Sequence, residues 1–167
     1  MHKVLKVVPD LCTGCSHCAL ACSWVQIGAF DPNAAVIHVQ FYGEQLRFAP
    51  YTCFQCDEAW CMPACPTNAI AIDGSTGAKV VIEKACVGCG LCTLACPYGT
   101  MFLSKESGKA SKCDLCRGDP ACVRVCPTDA LQYVEGGIAH DRIGPWAEHH
   151  HVEFLRRLQG GEGGTEV

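Results

Sequence analysis

Apolar positions along the chain come in short runs separated by turn residues. Val4 to Val8 is apolar around Lys6 and ends at Pro9, which predicts a strand. Ala35 to Gly43 and Gln45 to Tyr51 alternate or run apolar on either side of Gly43-Glu44, which predicts a hairpin. Further on, Ala69-Ile70-Ala71-Ile72, a glycine-rich turn from Gly74 to Gly77 and a strand from Lys79 to Glu83 follow one another. A helix and then a strand are expected between Cys126 and Val134. From Pro145 to Gln159 the spacing becomes helical, with Trp146, Val152, Leu155 and Leu158 apolar, and Gly160 to Val167 reads as a flexible polar tail. Short strands with a few short helices predict an α+β fold. No apolar run approaches the roughly 18 residues of a membrane helix, so no membrane insertion is expected.

Composition changes this picture sharply, because 16 of the 167 residues are cysteine. In a secreted chain that density would mean a disulfide scaffold. Met1 to Leu11, however, has no apolar core, small-residue cleavage site or twin arginine, so a cytoplasmic protein with reduced thiols is expected, and there dense cysteine points to metal. The formal charge of −4 argues against nucleic acid as a partner.

The cysteines form four groups of four: Cys12, Cys15, Cys18, Cys22; Cys53, Cys56, Cys61, Cys65; Cys86, Cys89, Cys92, Cys96; and Cys113, Cys116, Cys122, Cys126. The first and third are spaced C-x2-C-x2-C-x3-C, and the other three groups after the first end in Cys-Pro, at Pro66, Pro97 and Pro127. Three thiolates two residues apart can wrap one face of an iron-sulfur cube, with Gly14, Gly88 and Gly90 giving the backbone room to approach. The fourth cysteine is expected to start a short helix and reach a second cluster, its proline suiting a first helical turn. Structural zinc sites instead pair two CxxC knuckles across a gap of about 12 to 20 residues.

These motifs resemble bacterial ferredoxins. Residues 53–103 read as one continuous two-cluster unit, and the outer groups, flanked by Val4 to Val8 and Leu131 to Val134, read as the halves of a second one into which the first is inserted. The expected organisation is an outer module of residues 1–27 and 104–137, a connecting hairpin over 28–52, an inner module over 53–103, and a helix with a flexible tail over 138–167.

Residues 1–135 resemble, more specifically, the four-cluster ferredoxin-like subunits of molybdenum and tungsten oxidoreductases and of some hydrogenases and carbon monoxide dehydrogenases. Pro50 to Cys56 leading to Cys61-Met62-Pro63-Ala64-Cys65-Pro66, Cys96-Pro97-Tyr98-Gly99, and Lys112 to Cys116 leading to Pro120 to Pro127 carry the likeness. The short form is most similar to the small iron-sulfur subunit of tungsten-containing aldehyde oxidoreductases. The resemblance implies four 4Fe-4S clusters: Cys12, Cys15, Cys18 with Cys126; Cys22 with Cys113, Cys116, Cys122; Cys53, Cys56, Cys61 with Cys96; and Cys65 with Cys86, Cys89, Cys92. Ser23-Trp24 after Cys22 departs from the regular Cys-Pro.

The function implied is electron transfer without substrate chemistry, between a large tungsten- or molybdenum-pterin subunit and a second redox partner, a flavin subunit or ferredoxin. The alternatives are a free-standing polyferredoxin, a redox sensor, or the corresponding subunit of a hydrogenase, formate dehydrogenase or carbon monoxide dehydrogenase. Contacts with further copies of the chain are a further expectation, carried by the C-terminal helix. Lys84, Lys112 and Arg117 adjoin cluster loops and either raise potentials or form solvated surface, the latter being usual for such residues. Trp24, Trp60 and Tyr98 either shield clusters or simply pack. His149, His150 and His151 point in different directions on a helix and read as a solvated face.

Overall fold

The computed structural model describes residues 3–43 and 46–135. The helix expected from Pro145 to Gln159, the histidine run and the polar tail lie outside the described residues.

Among the described residues eight strands make four separate two-stranded antiparallel sheets. Strand β1 (Lys3–Val7) pairs with β8 (Leu131–Glu135), Val4 opposite Val134 and Leu5 opposite Tyr133, so the two ends of the described chain meet. Strands β2 (His38–Tyr42) and β3 (Arg47–Tyr51) form the hairpin expected from their alternation, with Gln40 opposite Ala49. Strands β4 (Ile70–Ile72) and β5 (Lys79–Val81) close around the Asp73 to Gly77 turn, where the Asp73 carboxylate accepts from the backbone N–H groups of Ser75 and Thr76 at 3.0 and 2.8 Å. The last sheet, β6 (Phe102–Leu103) with β7 (Ala110–Ser111), has no counterpart in the sequence pattern.

Among the described residues three α-helices accompany the sheets: α1 (His17–Ile27), α2 (Leu91–Ala95) and α3 (Ala121–Arg124). Their placement corrects one expectation. The short helices α2 and α3 carry the third cysteine of their groups and end before the fourth, and the segments after Cys65, Cys96 and Cys126 are turns. Proline fits that position as a turn residue with fixed φ instead of as a helix start. At the first group, where Ser23 replaces proline, α1 runs on through Ile27. Ser23 is fully buried; its hydroxyl donates to the Leu20 carbonyl at 2.9 Å and accepts from the Asp31 N–H at 3.1 Å, which ties the following loop to the helix.

The interior is unusual in content. One core joins Cys18, Ala19 and Cys22 of α1 to Val36, Ile37, Cys113, Leu115, Cys122 and Leu131. A second joins Ala69 and Ile70 to Cys86, Cys92, Cys96 and Met101. Sulfur and small side chains occupy positions that large aliphatic residues fill in most domains. A third, smaller cluster of Tyr42, Ala49 and Tyr51 extends through Phe54 to Tyr98, their rings meeting edge to face at 5.6 and 4.8 Å.

Candidate metal centres

The fold brings the cysteines together in sets that cross the sequence groups. Burial and the nearby thiolates of Cys15 and Cys126 raise the Cys12 thiol above its usual range, and Cys18 responds to Cys12, Cys15 and Cys126 in the same way. Those four thiols therefore lie near enough to sense one another's charge, and the β1–β8 pairing is what carries the Cys126 segment back to the first group. Cys22, Cys113, Cys116 and Cys122 line one small cavity, roofed by Leu5, Val36 and Ile37. Cys53, Cys56, Cys61 and Cys96 line a larger cavity of about 360 Å³. Cys65, Cys86, Cys89 and Cys92 line a fourth site, closed by Ile70 and Val81.

Two contacts set the order of these sites. Cys122 feels the charge of Cys18, which joins the first site to the second, and Cys113 feels that of Cys53, which joins the second to the third. The chain itself joins the third to the fourth, through Cys61 and Cys65 and again through Cys92 and Cys96 on the end of α2. Only Cys15 and Cys89 are exposed, one in the first site and one in the last.

The chemistry of the pockets suits metal-bound thiolates. All sixteen cysteines are free of disulfides. Among the described residues no three His, Cys, Asp or Glu side chains converge where one ion could sit; the thiols instead surround a space, as a multi-iron group requires. Backbone N–H groups aim at sulfur: Gln55 at Cys53 (3.5 Å), Ala69 at Cys65 (3.2 Å), Ala110 at Cys86 (3.4 Å) and Leu115 at Cys113 (3.4 Å). Such bonds stabilise sulfur that carries charge. Burial, followed by neighbouring thiolates, pushes Cys56 up to about 11 and Cys122 up to about 12, so as bare thiols these groups are neutral. Positive iron would reverse that balance and release the protons. The residues present therefore fit 4Fe-4S clusters.

Loop geometry is built around the same sulfurs. Gly88 and Gly90 take φ of +72° and +76° between the ligand-type cysteines of the third group. The Gly108 carbonyl, in the loop joining β6 to β7, lies where a Gly88 Cβ would stand, and Lys109 reaches from that hairpin to the Cys86 carbonyl. In the fourth group, Leu115, Cys116 and Arg117 are all left-handed, at φ of +58°, +47° and +55°, with the Asp114 carboxylate accepting from the Cys116 N–H at 2.9 Å. No sequence signal marks this run, since none of the three is glycine.

Of the charged residues beside the loops, Lys84 and Arg117 are exposed and Lys112 is buried, only 5% of its surface remaining accessible. Lys79, unremarked in the sequence, is buried to the same degree at 6%, as is Gln55. Trp24 and Trp60 are surface residues, Trp24 stacking on Phe30 at 4.9 Å, whereas Tyr98 packs on Phe54 beside the third site. No helix among the described residues is long and apolar enough to cross a membrane.

Comparison with known proteins bears on what these sites hold. A family model described as a 4Fe-4S dicluster domain matches residues 44–136, and one described as a 4Fe-4S binding domain matches residues 9–30. The polyferredoxin-like subunit of aliphatic sulfonate oxidoreductase from Pyrococcus furiosus is 42% identical over 137 residues, covering 79% of this chain and 78% of the relative. An iron-sulfur protein of Rhodospirillum rubrum is 34% identical, covering 80% and 83%. The beta subunit of NADH-dependent phenylglyoxylate dehydrogenase from Aromatoleum evansii is 34% identical over 88% of this chain, which spans 33% of that longer protein.

Proposed function

Because the chain belongs to the 4Fe-4S dicluster family, we propose that it is a cytoplasmic electron-transfer subunit whose sixteen cysteines hold four 4Fe-4S clusters in a line. The ligand sets are Cys12, Cys15, Cys18 and Cys126; Cys22, Cys113, Cys116 and Cys122; Cys53, Cys56, Cys61 and Cys96; and Cys65, Cys86, Cys89 and Cys92. The observation that carries this reading is that three of the sets each line one cavity and the thiols of the remaining set sense one another's charge, although the members of every set come from two separate stretches of chain. The β1–β8 pairing supports the nested arrangement, in which an outer module encloses an inner one.

When bound, the clusters would supply one-electron transfer without bonds made or broken to substrate. The chain's own residues hold the sulfurs, exclude water with Ile37, Leu115, Leu131 and Met101, and leave Cys15 and Cys89 as the open ends. Electrons would thus pass between a large catalytic subunit at one end and a second redox partner, ferredoxin or a flavin subunit, at the other. We assign the large subunit to the tungsten- or molybdenum-pterin class, with an aldehyde as substrate, on the motif resemblance. The relatives named above serve enzymes with unlike substrates, which supports leaving substrate chemistry to the large subunit alone.

The test is composition and ligand identity. Anaerobically prepared protein should contain about sixteen iron and sixteen sulfide per chain, four of each per ligand set. In Cys126→Ala the EPR or Mössbauer spectrum should lose or convert the same centre as Cys15→Ala. A match to Cys89→Ala instead, or stoichiometric zinc, would refute the reading.

A further inference from the structure

Between the second and third sites lies a buried polar node that electron transfer through cysteine ligands alone does not require. Gln55, two residues after Cys53, donates from its side-chain amide to the Cys113 carbonyl at 2.6 Å, and its amide oxygen accepts from the backbone N–H of Lys79 at 2.7 Å. The Lys79 ammonium returns to the Gln55 carbonyl at 3.2 Å. The Lys112 ammonium donates to the carbonyls of Lys79 and of Cys113, the latter at 3.1 Å. Both lysines are among the residues lining the cavity of Cys53, Cys56, Cys61 and Cys96.

Buried ammonium groups are costly unless a negative charge compensates them. Among the described residues the ion pairs are Arg47–Asp10 and Arg124–Asp119, both at the surface, so neither lysine has a carboxylate partner. Asp57 and Glu58 line the same cavity but are exposed to water and form no ion pair with either lysine. Carbonyl oxygens offer the lysines partial charge only. The compensating charge must be the cavity's contents: four thiolates around a cubane carry about 2− when oxidised and one more when reduced.

We propose that Lys79 and Lys112 are tuning residues that hold the cluster site of Cys53, Cys56, Cys61 and Cys96 at a higher reduction potential than the other three, so that an electron entering the chain rests there. The proposal takes the ligand sets above as its basis. One electron arrives from a neighbouring iron-sulfur site and leaves to the next; no proton or other atom need move, because the ammonium charges are already in place. Fixed positive charge stabilises the reduced state more than the oxidised one by virtue of the extra negative charge. The second and fourth sites have no buried lysine among their lining residues.

The experiment is an EPR-monitored potentiometric titration of the anaerobic holoprotein and of Lys79→Gln, Lys112→Gln and Lys112→Arg. Iron content separates the two layers of inference, because a changed cluster count or ligand assignment would indict the ligand sets and leave tuning as a separate question. In wild type one centre should reduce ahead of the rest, and Cys61→Ser should alter the spectrum of that centre. In Lys112→Gln and Lys79→Gln with full iron, its reduced-to-oxidised ratio at fixed potential should fall at least tenfold, equivalent to 59 mV for one electron. Lys112→Arg should largely restore it. A purely structural role would lower stability and leave the midpoint in place, so an unshifted midpoint at full iron content overturns the proposal. Should a lysine variant fail to assemble, the wild-type titration decides: if Cys61→Ser alters a centre other than the first to reduce, the proposal falls.

Discussion

Replacing Gly88 with alanine separates two costs that cysteine-loop glycines carry. At φ of +72° an alanine there pays the left-handed penalty of about 1–2 kcal/mol. Its Cβ would also overlap the Gly108 carbonyl oxygen, which belongs to backbone held by the β6–β7 hairpin and cannot swing aside as a side chain could. Overpacking of this kind costs roughly a further 1–3 kcal/mol. Gly90 is the internal control. It has φ of +76°, but the nearest atom to its Cβ would be Leu103 Cδ1 at 3.8 Å, an ordinary contact, so Gly90→Ala pays the conformational cost alone. Unfolding of a cluster protein is irreversible, so the readout is a rate: loss of the iron-sulfur absorbance in guanidinium under anaerobic conditions. About 1.4 kcal/mol corresponds to a tenfold change. Gly88→Ala should therefore bleach roughly tenfold or more faster than Gly90→Ala, with the early loss assigned to the centre held by Cys86 and Cys89. Equal rates for the two variants would refute the argument that the hairpin packs rigidly on this loop.

Two further outcomes follow from local geometry. Ser23→Ala removes both hydrogen bonds of a fully buried hydroxyl and should cost about 1–2 kcal/mol, seen as faster bleaching, whereas Ser23→Thr should recover part of it if the hydroxyl and not the volume matters. Arg117→Gly relieves one left-handed residue beside Cys116 and, after the entropy that glycine costs, should stabilise the loop by about 0.5–1 kcal/mol; Arg117→Ala, which keeps the strain, should give no such gain, and equal behaviour of the two would refute this.

What the sequence made legible was whatever has a spacing. The four cysteine groups, the strands at the two chain ends and the Gly43-Glu44 hairpin all announce themselves through periodicity, and the structure pairs those strands accordingly. The β6–β7 hairpin escaped notice because two-residue strands around the polar stretch from Ser104 to Lys109 show no alternation to count. The short helices were expected one cysteine too late, since a proline after Cys96 or Cys126 suits a turn as well as a first helical residue. Ser23 was visible as a departure from Cys-Pro, but its effect, a longer α1 tied to Asp31, depends on a contact eight residues away. Lys79 and Gln55 had no local mark at all: a lysine in a short strand is ordinarily solvated, and only the approach of Cys113 from the fourth group encloses it.

That enclosure bears on how the chain folds as well as on how it conducts. The cores are assembled from sulfur and small residues, with Ile37, Leu115 and Leu131 the only large, fully buried aliphatic side chains among the described residues, so apolar burial alone is a weak driving force there. Burial holds thiols such as Cys22 and Cys61 up to about 11, so the bare sites contribute neutral sulfur and two uncompensated ammonium groups at the seam between modules. Ligation converts each of these liabilities at once: the thiols become ligands, the cavities fill, and Lys79 and Lys112 gain their counter-charge. The contacts of Gln55 with Cys113 and of Lys112 with Lys79, which link the segments proposed as inner and outer modules, are then the same ones that place positive charge between the second and third proposed sites. On the proposed ligand sets, the cohesion of the two halves and the relative potential of the middle site would rest on one cluster of side chains.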